Sequence, residues 1–101
     1  MSDKTEVVAA AQVLVSASSI SFKANSEFKT ATKSAVGLYD LELEHEHDRN
    51  KLVIHVTRNN TVDGTIEASM PIDKHIQINV FGADGVVADS SFWITVRRIG
   101  G

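Results

Sequence analysis

The chain contains no cysteine, so it has no disulfide framework, no thiolate nucleophile and no cysteine-ligated zinc or iron–sulfur site. One proline and six glycines in 101 residues exclude collagenous and low-complexity chains. Neither sign of charge dominates. Ten Lys and Arg against thirteen Asp and Glu give a formal charge of −3 and a pI near 5.7, which argues against direct nucleic-acid binding through a positive field. No apolar run reaches the about 20 residues of a membrane-spanning helix. Residues 7–17 (VVAAAQVLVSA) have signal-peptide length, but Asp3 and Glu6 precede them against a single Lys4, and Gln12 interrupts them. The expectation is no membrane partner and a virion or cytoplasmic location. GxGxxG, Walker, GxSxG and HExxH motifs are all absent, so no cofactor is expected and the chain reads as non-enzymatic.

What is present is alternation. With 43% hydrophobic and 23% charged residues the composition is that of a globular domain, and apolar residues recur at period two in almost every segment, the signature of half-buried strands. Over residues 37–48, Tyr39, Leu41, Leu43, His45 and His47 share one face. Leu38, Asp40, Glu42, Glu44, Glu46 and Asp48 share the other. Asp48-Arg49-Asn50-Lys51 supplies turn chemistry, and a strand over 52–57 follows. A tight turn there predicts an antiparallel hairpin pairing His47 with Leu52, His45 with Ile54, Leu43 with Val56, and Glu44 with His55, a register that keeps both apolar faces together.

Further strands are predicted over 65–70, 75–81 and 91–99, separated by turn signals at Asn59-Asn60, Asp63-Gly64 and Gly82-Ala83-Asp84-Gly85. Pro71 cannot donate to a ladder and predicts a bend or an edge position. The last strand carries Phe92, Ile94 and Val96 on one face and Trp93 and Ile99 on the other, so one set needs a cover from outside a two-layer core. Residues 4–15 admit two readings. Asp3 with Glu6 resembles a capping box ahead of the stripe Val7, Ala10, Ala11 and Leu14, whereas Val13 and Val15 alternate with Gln12 and Ser16 into Ile20 and Phe22. The β-branched and serine content favours a strand over the short helix. Residues 24–36 (ANSEFKTATKSAV) are poor in large apolar groups and read as a long exposed connection anchored by Phe28; residues 1–6 read as a flexible tail. The whole, 1–101, is expected to be one all-β domain, a small antiparallel β-sandwich or open barrel of about six to eight strands.

Candidate chemistry is sparse. His45 and His47 lie two apart on a predicted strand, but the hairpin sets Ile54 and Leu52 opposite them and turns His55 to the other face, so no metal site is expected. Asp40, Glu42, Glu44, Glu46 and Asp48 form an acidic strand face that could dock a basic partner, as a small inhibitor does; the plainer reading is a solvated face charged against aggregation. Trp93 falls on the side of Arg97, and Ile99 follows, making this the candidate contact surface, while for Trp93 taken alone a core position is the plainer reading. The leading expectation is a structural or assembly subunit, such as a virion coat or head-decoration protein, working as a homo-oligomer or within a larger protein shell. A docking module using the acidic face is the alternative, and a carbohydrate-binding or metal-assisted domain comes third.

Overall fold

The computed structural model of the chain describes residues 5–58, 64–72 and 74–99. Eight strands build two antiparallel four-stranded sheets packed face to face, a small β-sandwich. In chain order they are β1 (Thr5–Val15), β2 (Ile20–Ser26), β3 (Phe28–Ala35), β4 (Leu38–Leu43), β5 (Leu52–Arg58), β6 (Gly64–Ile72), β7 (His75–Gly82) and β8 (Phe92–Ile99). One sheet has the order β2-β1-β8-β5 and the other β3-β4-β7-β6. Among the described residues no helix is long and apolar enough to cross a membrane.

The alternation read from sequence decides what is buried. Tyr39, Leu41 and Leu43 of β4, Ile76, Ile78 and Val80 of β7, and Phe92, Ile94 and Val96 of β8 point inward and are fully buried. Ala9, Ala11 and Val13 complete the core from β1. Each large aliphatic or aromatic group buried in this way contributes about 1.5–3 kcal/mol. The small alanines of β1 let the opposing sheet approach closely. Residues 5–15 are therefore a strand, and the short-helix alternative is excluded.

Two expectations fail, each for its own reason. The predicted hairpin of residues 37–57 does not form: β4 pairs with β3 and β7, whereas β5 pairs with β8 in the other sheet. Two strands with the same alternation can lie side by side or face each other across a core, and period two cannot tell these apart. Here β4 ends at Leu43, where Leu43 N–H donates to the Lys74 carbonyl and Glu44 N–H to that of Glu27. Residues 44–51 then cross between the layers, a gap of about 10 Å. The turn chemistry is real but serves this arch. A 3₁₀ turn occupies Arg49–Lys51, with the Asp48 carboxylate accepting from Asn50 N–H and its carbonyl from Lys51 N–H.

The second failure is the connection expected over 24–36, which is occupied by the end of β2 and by β3. These are edge strands, and an edge strand covers only part of the core and needs few large side chains. Glu27, at φ 71°, makes the corner between them. Phe28 is buried as expected and stacks on Phe22 across that corner, with centroids 5.8 Å apart. Of the tail expected over 1–6, residues 1–4 lie outside the described residues, while Thr5 and Glu6 belong to β1. Asn59, Asn60 and Asp63 also lie outside them. Since β5 and β6 belong to different sheets, the Asp63-Gly64 signal does not close a hairpin between them. Pro71 sits in the edge strand β6 beside a register shift between Ser69 and Ile72, as a proline requires.

The β3–β4 turn depends on Gly37. Its φ is +70°, and a β-carbon there would lie 2.6 Å from the Val80 carbonyl oxygen and 2.9 Å from that of Ala88. Both neighbours are backbone atoms and have little freedom to move. Gly37→Ala is predicted to lower unfolding free energy by about 2–4 kcal/mol in a denaturant titration; a loss below about 0.5 kcal/mol would show that this turn is not constrained.

Candidate functional site

The outer face of the β2-β1-β8-β5 sheet carries the residues singled out in the last strand. With Phe92, Ile94 and Val96 turned inward, the alternation turns Trp93, Thr95 and Arg97 outward. Cross-strand pairing sets them in three rows: Gln12, Trp93 and Thr57; Ala10, Thr95 and His55; Val7, Arg97 and Val53. Trp93 is 52% exposed, Val7 52% and Ile99 44%, so this sheet face presents apolar groups that the chain itself does not cover. The core reading of Trp93 is thereby excluded. The N-terminal segment does not lie over the indole, because β1 pairs beside β8 within the same sheet.

Shallow grooves flank the indole on both sides. One, of about 380 Å³, is floored by Ala10, Ala24 and Ser26 and edged by Gln12, Asn25 and Thr95. The other, of about 420 Å³, is lined by Trp93, Thr95, His55, Thr57 and Arg58. Small residues at positions 10, 24 and 26 leave the ring standing above its surroundings. An amphipathic aromatic raised in this way can insert between the side chains of a partner. Arg97 adds a cation to the face, while Arg98 is tied to Glu6 by an ion pair.

The acidic row is broken. Only Asp40 and Glu42 lie on β4, and both have partners: the Asp40 carboxylate is 3.0 Å from His75 Nδ1, and Glu42 accepts from Thr30 Oγ1 at 3.3 Å with Lys74 Nζ at 3.9 Å. Glu44, Glu46 and Asp48 follow the end of the strand on the arch and are exposed. Among the described residues the five carboxylates therefore do not share one strand. His45 and His47 likewise leave β4; the His45 ring is 3.5 Å from a Glu27 carboxylate oxygen. Among the described residues no three His, Asp or Glu side chains stand close enough to hold a metal ion.

A polar cluster that sequence reading missed closes one end of the sandwich. Asp89, on the segment leading into β8, accepts from Gly37 N–H at 2.9 Å and Tyr39 O–H at 2.8 Å through Oδ1, and from Lys33 Nζ at 2.7 Å through Oδ2. Lys33 also donates to the carbonyls of Ser16 and Ala17, and Ser90 N–H donates to the Tyr39 hydroxyl at 3.2 Å. Burial, and then the Asp89 acceptor, push the Tyr39 phenol well above its ordinary range, so it stays a neutral donor. Desolvation works against the ionised form of Asp89, but hydrogen bonds from Lys33, Gly37 N–H and Tyr39 O–H together hold its carboxyl below the ordinary value. The cluster joins three loops and both sheets. Its cue in the sequence was slight, an Asp followed by two serines ahead of a strand, with Lys33 and Tyr39 far away along the chain.

No protein-family model, curated protein or solved structure matches the chain.

Because the folded-state carboxyl of Asp89 titrates below its unfolded value, its stabilisation is complete above the unfolded pKa of about 3.9 and is lost as pH falls through the lower folded value. Asp89→Asn is predicted to cost about 2 kcal/mol at neutral pH. It should also flatten the loss of stability below about pH 4 relative to wild type. Denaturant titrations of both proteins from pH 7 to pH 2 check this; parallel curves would show that Asp89 adds nothing to the acid limb.

Proposed function

We propose that the chain is a non-enzymatic assembly module that works through protein–protein contacts on the outer face of the β2-β1-β8-β5 sheet. The observation that carries this reading is Trp93, half exposed near one end of a central strand whose inward residues Phe92, Ile94 and Val96 are fully buried. Large exposed aromatics rimmed by polar groups mark contact surfaces more often than they mark bare solvent boundary. Val7, Val53 and Ile99 extend the apolar surface towards the far end of the strands, and Arg97 gives it a bidentate donor suited to a carboxylate or a backbone carbonyl. A homo-oligomer or a larger protein shell, of the virion-coat or head-decoration kind, uses such a module as a repeating tile. The arrangement gives little support to a docking module based on acidity, because the carboxylates of β4 are matched by His75, Lys74 and Thr30.

Trp93→Ala separates contact from core. Since the indole is 52% exposed, truncation is predicted to shift the thermal midpoint by less than about 4 °C. It should weaken association by about 2 kcal/mol or more, roughly thirtyfold. Phe92→Ala, one residue away but fully buried, is predicted to cost about 3–5 kcal/mol of stability. Sedimentation velocity and thermal denaturation on the same preparations read both effects. A monomeric wild type at high concentration, with Trp93→Ala lowering only the melting temperature, would refute the assembly reading.

A further inference from the structure

Each four-stranded sheet has two edges, and three of these four edges are interrupted in ways that deter strand addition. On β2 the pairing with β1 shifts at Gln12/Val13, with Lys23 as the extra residue. On β3 it shifts twice, with Lys29 and Ser34 unpaired. On β6 it shifts between Ser69 and Ile72, around Pro71. The fourth edge is different. β5 (LVIHVTR) pairs residue for residue with β8 from Leu52 to Arg58 without a break, and among the described residues it has a strand neighbour on that side alone. It holds neither proline nor lysine, and its one strong cation turns inward, where Arg58 Nη1 donates to the Phe81 carbonyl at 3.1 Å.

The same strand is under-covered. Leu52, Ile54 and Val56 face the core and, like the inward residues of the edge strands β2 and β6, are only partly buried. Beside them a groove of about 460 Å³ opens between β5 and β6, lined by Asn50, Leu52, Ile54, Ala68, Ser69 and Met70 and mostly polar at its surface. A regular, β-branched edge whose core-facing residues stay partly exposed is a template for one more strand.

We infer that this edge pairs with the β5 edge of a second copy of the chain, antiparallel about a twofold axis at His55, joining two four-stranded sheets into one of eight. The inference rests on the assembly reading above and names its partner. Any antiparallel pairing centred on a residue sets like faces together, and in β5 a symmetric one also opposes no two charged side chains. Centring the axis on His55 pairs Ile54 with Val56, Val53 with Thr57 and Leu52 with Arg58, so core-facing residues meet core-facing residues and outward ones meet outward ones. The whole strand is used, and the only like pair is His55 with His55. Ile54 and Val56 of the second copy then stand over the open groove. On the outer face, Trp93 of one copy comes into line with Arg97 of the other through Thr57 and Val53, since these residues already pair within each copy. Three strand spacings of about 4.8 Å separate them, and the two Trp93 surfaces become parts of one continuous face.

His55 is exposed, which makes it a probe of the axis that leaves the core untouched. In the full-length protein, His55→Lys and His55→Glu each place two like charges opposite one another at the twofold, and each is expected to raise the dimer dissociation constant about tenfold or more. An equimolar mixture of the two variants should recover association to wild-type strength or better, because Lys then faces Glu. Sedimentation equilibrium reads all three samples. As a measure free of substitution, amide hydrogen exchange in wild-type β5 should slow at high protein concentration while the other edge strands do not change. Wild-type behaviour of each single variant, a mixture no tighter than either variant alone, or concentration-independent exchange in β5 would overturn the pairing. If Trp93→Ala then still weakens association, assembly stands but uses another contact; a monomeric wild type removes both readings.

Discussion

The two sheets are held in one alignment by Tyr39. Its ring stacks on Phe92 across the core, 5.8 Å between centroids and 9° from parallel, so β4 of one sheet and β8 of the other share a single contact. Its hydroxyl leaves the core at the same end, donates to Asp89 and accepts from Ser90 N–H. Only a tyrosine can do both, since the buried ring supplies area and the oxygen supplies two directed bonds. Asp89 then takes the Gly37 amide and the Lys33 ammonium, and Lys33 reaches the carbonyls of Ser16 and Ala17. One phenol therefore sets the stacking of the sheets and, through one carboxylate, the position of three loops. With that end fixed, β8 enters at Phe92, and the parity of every later residue in it follows: Trp93, Thr95 and Arg97 have no choice but the outer face.

Sequence legibility divides along the same line. Period two reveals which side of each strand is apolar, and the inward sets of β4, β7 and β8 were readable residue by residue, as was the surplus of apolar groups in the last strand. It does not reveal which strand lies beside which. Leu41 and Leu43 share a core with Ile54 and Val56, and the sequence cannot distinguish a core built across two layers from one built along a hairpin. The end of β2 and the whole of β3 were opaque for a different reason. A strand with a neighbour on one side only, at the rim of a sandwich, is stabilised more by its backbone ladder than by buried area, so KTATKSA carries no hydrophobic signal to read. Asp89 was unreadable because its partners, Lys33, Gly37 and Tyr39, are brought to it only when the loops meet.

The surface follows from how each edge is treated. Bulges at Lys23 and Lys29 twist β2 and β3 and put charge on them, and Pro71 removes a donor from β6. These features cost ladder hydrogen bonds, and the fold accepts that cost at three of its four edges. β5 retains full regularity against β8 and carries the β-branched Val53, Ile54, Val56 and Thr57 on either side of His55. The asymmetry cannot be assigned to a lack of means, because Arg58, the last residue of β5, could guard the strand from solvent. It reaches instead over Gly64, where any β-carbon would overlap its guanidinium, to the Phe81 carbonyl.

Trp93 and β5 belong to one argument, because β8 supplies both. Its inward residues fill the core, its outward residues form the exposed rows, and its second neighbour is the strand left open. An exposed indole on a sheet with closed edges can be covered only by a partner approaching face on, with all of its orientation chosen by side chains. An indole two strands from an open, regular edge is placed differently. A strand added at that edge is fixed in height, direction and register by backbone hydrogen bonds, and it brings its own sheet face level with the first. The backbone then sets the geometry, and the side chains of Trp93, Arg97 and Val53 need only be compatible with it. This division suits a small domain with little core to spare, since a contact specified by main-chain pairing requires few large residues beyond those the fold already carries.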